Sequence, residues 1–159
     1  MHVRGGTLIG GVGYRWQRDA SFGVVAADAM AQLSWPAHVQ VADLGYGAIY
    51  AAQDIADGHY QRMLLVAAAQ RGRPRGELYR YHYTAPALSP EEVQECIREA
   101  GAGVVHIDHL LIVAAQFGAL PPEVDVFELE PDDTRPGIDL SPRGSERLLD
   151  VIALVRSAT

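Results

Sequence analysis

The chain has 159 residues, which fits one domain of ordinary size. Hydrophobic residues make up 48% and charged residues 21%, a globular balance that argues against a disordered or fibrous class. Thirteen basic against twenty acidic side chains give a formal charge of −7, so nothing supplies the electrostatic term that nucleic acid or an anionic membrane needs.

A chain of this size buries roughly two-thirds of its unfolded surface, enough for a core without disulfide staples. Its one cysteine, Cys96, excludes an intrachain disulfide and a cysteine-based zinc site. Cys96 lies among acids in Glu95-Cys96-Ile97, which favours a structural thiol over a reactive one. All thirteen basic residues are Arg, so lysine nucleophiles, lysine Schiff bases and a P-loop lysine are excluded too. No apolar run reaches the ~18 residues of a membrane span. Met1-His2-Val3-Arg4-Gly5-Gly6 lacks the layout of a signal peptide. The expectation is a cytoplasmic, soluble protein with residues 1–159 in a single domain.

In chain order, Thr7 to Val12 is an apolar run ending in glycines and predicts a buried strand. Phe22 to Leu33 carries Val24, Val25, Ala27, Met30 and Leu33 at mostly helical spacing, and Trp35-Pro36 should stop that helix. Val39 to Asp43 alternates and runs into Leu44-Gly45-Tyr46-Gly47, a strand and a glycine turn. Ala48 to Ala56 predicts a helix. Met63 to Ala69 is apolar without alternation, the pattern of a central parallel strand covered on both faces.

Arg71-Gly72-Arg73-Pro74-Arg75-Gly76 is a basic loop. Glu77 to Tyr83 then alternates, with Leu78, Arg80 and His82 on one face and Tyr79, Tyr81 and Tyr83 on the other, as an edge strand does. Ser89-Pro90-Glu91-Glu92 is a helix start, with a Ser cap, Pro in the first turn and acids to complement the helix dipole. It opens an acidic helix over about 89–100. His106 to Phe117 reads as the next helix, with Ile107, Leu110, Leu111 and Ala114 as its apolar stripe. Val124 to Leu129 is a strand. Ser141-Pro142 begins a last helix through Val155, with Leu148, Leu149, Ile152 and Val155 expected to face the core.

This alternation predicts a three-layer α/β fold. Its mostly parallel, twisted sheet has about five strands, one antiparallel edge strand and helices on both faces. In such sheets a site forms at the carboxyl ends of the strands, here Gly11–Asp19, Asp43–Gly47, Ala67–Gln70 and Glu128–Asp133.

Few chemistries fit those ends. Gly11-Val12-Gly13 suggests a dinucleotide turn, but Trp16 stands where the third glycine would be. There is no Walker A pattern and no Gly-x-Ser-x-Gly elbow. His106-Ile107-Asp108-His109 is a metal-like cluster, since residues i and i+3 of a helix are neighbours, but two histidines alone are a weak signal and helix-surface residues are the simpler reading. Arg71, Arg73 and Arg75 could hold a carboxylate or the acidic tail of a partner, or form a solvated loop.

The order of these motifs resembles the hydrogenase maturation proteases. Gly11-Val12-Gly13, Asp19 and Phe22-Gly23-Val24 resemble the family's Gly-x-Gly-Asn, acid pair and x-x-Gly-Val. Asp43-Leu44-Gly45-Tyr46-Gly47 resembles its Asp-Gly-Gly turn, and Met63 to Ala69 its third strand. Leu110 to Phe117 with Gly118, Leu120 and Pro121 resembles its late helix and exit. Phe127 to Pro131 with Gly137 to Pro142 resembles its final strand and helix start. The similarity covers nearly the whole chain apart from about residues 84–102, where the acidic helix looks like an addition.

The resemblance implies a protein that trims the C-terminal extension of a nickel-iron hydrogenase large subunit and senses its nickel. The family's three expected nickel ligands fall on Ala20, on Ala67 and, without a gap, on Gly103; a three-residue gap would place His106 there instead. Tyr14 stands for the motif's Asn. Methyl groups and hydrogens do not ligate metal. The resemblance therefore implies a non-catalytic member that binds a hydrogenase large subunit or an assembly factor. Its cleft would be lined by Tyr14, Trp16, Asp43, Tyr46, Arg71, Arg73 and Arg75. The alternative is an active endopeptidase with a metal site rebuilt from His106, Asp108, His109 and Asp19. No cofactor is expected, and nickel or zinc only with such a rebuilt site. Asp19 matches the first acid of the pair but could serve only to cap the following helix.

Overall fold

A computed structural model describes residues 5–159. The sequence reading of Met1-His2-Val3-Arg4 lies outside the described residues. The elements are β1 (Thr7–Gly11), a 3-10 turn (Arg18–Ser21), α1 (Phe22–Ala31), β2 (Val39–Asp43), α2 (Ala48–Gly58), β3 (Arg62–Ala68), β4 (Leu78–His82), α3 (Pro90–Gly101), α4 (Ile107–Gln116), β5 (Glu123–Leu129) and α5 (Pro142–Ala158). The five strands form a sheet of order β2-β1-β3-β5-β4. Four run parallel, and β4 joins β5 antiparallel at one edge.

Period-two geometry divides the central strands between two cores. Leu8, Met63, Leu65, Val124 and Val126 face α2 and α4, with Ile55, Leu110, Leu111 and Val113 packed on them. Ile9, Leu64, Val66, Phe127 and Leu129 face α1 and α5, with Phe22, Met30, Val151 and Val155 on that side. The lack of alternation in Met63 to Ala69 thus records a strand covered on both faces. Helix α1 lies directly on the sheet because Gly23 has no side chain: a Cβ there would sit 2.2 Å from the Val12 carbonyl and 2.3 Å from that of Val66.

The helix starts follow their local chemistry. Ser89 accepts from the Glu92 N–H, and the Glu92 carboxylate accepts from the Ser89 N–H, a reciprocal capping box. Ser141 caps α5 by accepting from Gly144, with Pro142 in the first turn. Two sequence expectations need correction. Helix α1 ends at Ala31, so Leu33 lies beyond it and is 40% exposed. Leu149 is 74% exposed, and Val151 takes the buried position, because Leu148, Val151, Ile152 and Val155 form the i, i+3, i+4, i+7 stripe. Among the described residues no helix is long and apolar enough to cross a membrane.

Candidate functional site

The carboxyl ends of β1, β3 and β5 open into a cleft of about 340 Å³. Its apolar walls come from Val12, Ala20, Ala68, Ala69, Ile107 and Pro131, and its polar atoms from Tyr14, Gln17, Gln70, His106 and Thr134. An outer groove of about 840 Å³ continues it. The groove shares Gln70, Pro131 and Thr134 with the cleft and reaches Arg73, Arg75 and Arg135.

Asp19 holds one wall of the cleft to the other. It is fully buried. One carboxylate oxygen accepts from the backbone N–H of Asp132 at 2.9 Å and of Asp133 at 3.2 Å, and from the Ser141 hydroxyl at 2.7 Å. The other accepts from the Ser141 N–H at 2.9 Å. No side-chain cap is made at the start of the 3-10 turn or of α1, so Asp19 is a latch between two loops rather than a helix cap. The same loops are stitched by backbone bonds: Gly137 N–H to the Trp16 carbonyl at 2.8 Å, Arg18 N–H to that of Gly137 at 3.2 Å, and Asp19 N–H to that of Asp133 at 2.9 Å. Tyr14 fastens the remaining wall, its hydroxyl accepting from the Val105 N–H just before α4.

His106 is the N-cap of α4. Its Nδ1 accepts from the Asp108 N–H at 3.1 Å. That bond leaves the ring proton of neutral His106 on Nε2, a donor rather than a lone pair. Burial, partly offset by Asp108, holds the imidazole below its ordinary value near 6.5.

The four residues of the possible rebuilt metal site do not converge. Asp108 is gripped by Arg71 at 2.8 and 3.1 Å. His109 points its Nε2 at Glu99, 2.6 Å away. The His106 and His109 rings stand edge to face, with centroids 6.0 Å apart. Asp19 is saturated in its latch. Among the described residues no group of three His, Cys, Asp or Glu could hold a metal ion. Of the positions implied by resemblance, Ala20 lines the cleft, Ala67 is buried in the core, and Gly103 is exposed and outside the cleft. His106, not Gly103, is the residue before the late helix that reaches the cleft.

The expected contact set also divides. Tyr14 lines the cleft. Trp16 does not; it projects from the adjoining loop and is 65% exposed. Asp43 and Tyr46 line a separate hollow behind Tyr14. There Asp43 accepts from the Gly45 N–H and from Arg15, which also grips Asp28. The Tyr46 hydroxyl donates to Asp54, and burial followed by that carboxylate pushes the phenol above its ordinary range.

Arg71 and Arg73 are not a solvated loop. Arg71 bonds Glu128 at 2.5 and 3.1 Å, and Arg73 bonds Glu128 at 2.6 Å and Glu130 at 2.9 Å. The Tyr81 hydroxyl donates to Glu128 at 2.8 Å. Fully buried Glu128 is thereby neutralised, and the loop is pinned beside the cleft. Sequence reasoning missed this cluster. Its signal was the shared spacing: Arg71 and Arg73 leave β3 two residues apart, and Glu128 and Glu130 end the neighbouring β5 two residues apart. Cys96 is buried, and burial followed by Glu99 and Asp108 pushes its thiol up.

No protein-family model and no curated protein sequence matches the chain. Solved structures do. Hydrogenase 2 maturation peptidase from Thaumarchaeota archaeon SCGC_AB-539-E09 is 25% identical, with TM-score 0.68 over 96% of this chain and 97% of that one. The hydrogenase maturating endopeptidase HybD from E. coli is 19% identical, with TM-score 0.72 over 96% and 91%. The fold is that of the hydrogenase maturation endopeptidases. A [NiFe] hydrogenase maturation protease, HycI from Thermococcus kodakarensis KOD1, shares the maturation endopeptidase fold at 18% identity, with TM-score 0.65 over 96% and 90%.

Proposed function

We propose that this chain acts in hydrogenase maturation as a non-catalytic binding protein. It holds a hydrogenase large subunit, or an assembly factor bound to one, by a segment laid in the cleft. The observation that carries this reading is the donor set of the cleft: a maturation endopeptidase fold in which Ala20, Ala68 and Ala69 offer methyl groups and His106 stands alone. One imidazole with its Nδ1 already bonded does not make a metal site. The residues present do not fit nickel ligation.

What remains is a binding surface. Its floor is apolar. Tyr14, Gln17, Gln70, His106 and Thr134 supply neutral hydrogen-bonding groups along it. Such a lining suits an uncharged stretch of extended polypeptide, whose peptide groups find partners while its side chains meet the apolar walls.

The test is to incubate the protein with a nickel-loaded large-subunit precursor and follow the precursor's mass and its co-elution with the protein. A stable complex with unchanged precursor mass is the expected result. Shortening of the precursor at its C-terminus would establish an active endopeptidase instead, and the absence of any complex would overturn the binding role.

A further inference from the structure

The crossover helix α2 leaves a cavity at the edge of the sheet away from β4. β2 is the last strand on that side. Helix α2 packs Ala51, Ala52 and Ile55 with Leu8, Met63 and Leu65 of the inner strands, so only its flank reaches over β2. On that face β2 carries Gln40, in register with Leu8, and Ala42, in register with Gly10. Ala42 and Gly10 are too small to fill the space. Leu44 folds in over Gly10, where a Cβ would lie 2.4 Å from its Cδ1. A cavity of about 300 Å³ remains, with Leu8, Ala42, Leu44 and Ile55 as its apolar floor.

Its rim offers rings and acceptors but no positive charge. Tyr46, Asp54, Asp57 and Tyr60 stand there with Gln40. The Tyr46 hydroxyl donates to Asp54, and the Tyr60 hydroxyl to the Gln40 side-chain oxygen. Burial followed by Asp54 pushes both phenols above their ordinary range, so each keeps its proton for that bond. Asp54 and Asp57, at i and i+3 of α2, share one helix face. The second oxygen of Asp54 and both oxygens of Asp57 take no bond, and neither carboxylate has a cationic partner among the described residues. Arg15, after β1, is committed to Asp28 and Asp43, and Arg62, opening β3, to Glu123 and Asp125.

Two exposed carboxylates alone would meet only water and ions. What distinguishes this pair is the buried floor beside it, of which Leu8, Leu44 and Ile55 are part. The complementary occupant has a cationic head and an apolar stem. A metal ion does not fit, since among the described residues no group of three His, Cys, Asp or Glu could hold one. A guanidinium fits better than an ammonium. Its planar fork takes two carboxylate oxygens at once, it is more weakly hydrated, and it stacks on an aromatic face such as that of half-exposed Tyr46.

We propose that this cavity is a binding site for an alkylguanidinium, its head held by Asp54 and Asp57 beside Tyr46 and its stem laid on Leu8, Ala42, Leu44 and Ile55. The site is separate from the cleft: the two share no lining residue. It stands independently of the partner-binding reading above.

The test is titration of the full chain with propylguanidinium, followed by amide chemical shifts. A dissociation constant of about 1 mM is expected, with shifts confined to residues 40–46 and 54–60. Propylurea, which has the same shape without the charge, should bind at least about tenfold more weakly. Asp57→Asn, at an exposed position that leaves the fold intact, should weaken propylguanidinium at least about fivefold, and raised salt should weaken it severalfold. Equal binding of propylurea, an unchanged affinity in Asp57→Asn, or shifts centred on Gln70 and Thr134 of the cleft overturns the proposal. Arg4 lies outside the described residues, but Gly5 after it bonds the His59 carbonyl at 3.3 Å, two residues beyond Asp57. Arg4→Ala should leave the affinity within about twofold; a fivefold gain would assign the cavity to the chain's own arginine and overturn the proposal too. An acetylated and amidated tripeptide with central arginine separates two sources of the same chemistry. Tighter binding of the tripeptide than of propylguanidinium supports a protein-borne arginine as the occupant, and its exclusion supports a free small molecule.

Discussion

Asp19 and Ser141 lie 122 positions apart in sequence, yet the Asp19 carboxylate accepts both the backbone N–H and the hydroxyl of Ser141, at 2.9 and 2.7 Å. The same Ser141 oxygen accepts from the Gly144 N–H at 3.0 Å. One buried carboxylate thus joins the loop after β1 to the cap of α5. An Asn at position 19 keeps one acceptor oxygen and turns an amide N–H₂ toward groups that are themselves donors. Asp19→Asn should therefore cost about 2–4 kcal/mol, hydrogen bonds to a charged group being worth about 1.5–3 kcal/mol each. Urea denaturation measures it, and an unchanged midpoint would show that the latch does not hold the two loops.

Trp16 and Arg18 hold left-handed backbone conformations, with φ of 68° and 46°. Such strain persists only where neighbours over-determine the chain, as the backbone bonds from 16–19 to 133–137 do here. The strain presents an exposed indole beside the cleft, and exposed Ile138 adjoins Gly137, which bonds Trp16. Trp16→Gly should leave stability within about 1 kcal/mol, since relief of strain offsets the freer unfolded chain. Precursor binding should fall severalfold, because Trp anchors are rarely silent at an interface. Unchanged affinity by surface plasmon resonance would remove Trp16 from the binding face.

The fold was legible because its signals are local and repeated. The continuous run from Met63 to Ala69 and the alternation from Glu77 to Tyr83 report what covers each face of each strand. Ser89-Pro90 and Ser141-Pro142 report where helices begin. Leu149 was misplaced because it adjoins Leu148, and only one of two neighbouring leucines can lie on the stripe with Val151, Ile152 and Val155. The site was less legible because its residues act across the chain. Asp19 read as the first acid of a pair, a metal-site candidate or a helix cap, since nothing near it in sequence discloses Ser141. The partners of Arg71 and Arg73 could not be read from the loop, since Asp108 is 37 residues from Arg71, and Glu128 and Glu130 are each 57 residues from Arg71 and Arg73, respectively. His106 caps the late helix and lines the cleft, whereas Asp108 and His109 owe their neighbours to Arg71 and Glu99.

Acid should unfold the protein in two stages. Burial holds the His106 imidazole below its ordinary 6.5, so the unfolded chain binds this proton first. Stability then begins to fall as pH drops through about 6.5 and stops falling once the folded His106 is itself protonated. The carboxyls of Asp108 and Glu130 lie below their ordinary values: burial would raise them, but Arg71 and Arg73, respectively, outweigh it. Their contribution is fully present above about pH 4.5 and is lost as pH falls through their folded values. Thermal melts across this range should show both stages. His106→Gln should remove the upper stage and leave the lower; an upper stage that survives the substitution would assign it to another histidine.

Calorimetry with nickel and zinc separates the binding protein from the endopeptidase most directly. To ligate through Nε2, His106 must carry its proton on Nδ1, where it now accepts from the Asp108 N–H; binding would break that bond for a single ligand. No heat should appear at about 100 µM protein, an affinity weaker than roughly −5.5 kcal/mol. Ala20→Glu sets a carboxylate in the cleft that His106 also lines. That variant should gain weak binding, and His106→Ala in the same background should abolish it, because two donors chelate where one does not. Tight one-to-one binding by the unaltered protein, lost in His106→Ala, would mean that the cleft holds metal with donors supplied by rearrangement, and the endopeptidase reading would displace the one proposed here.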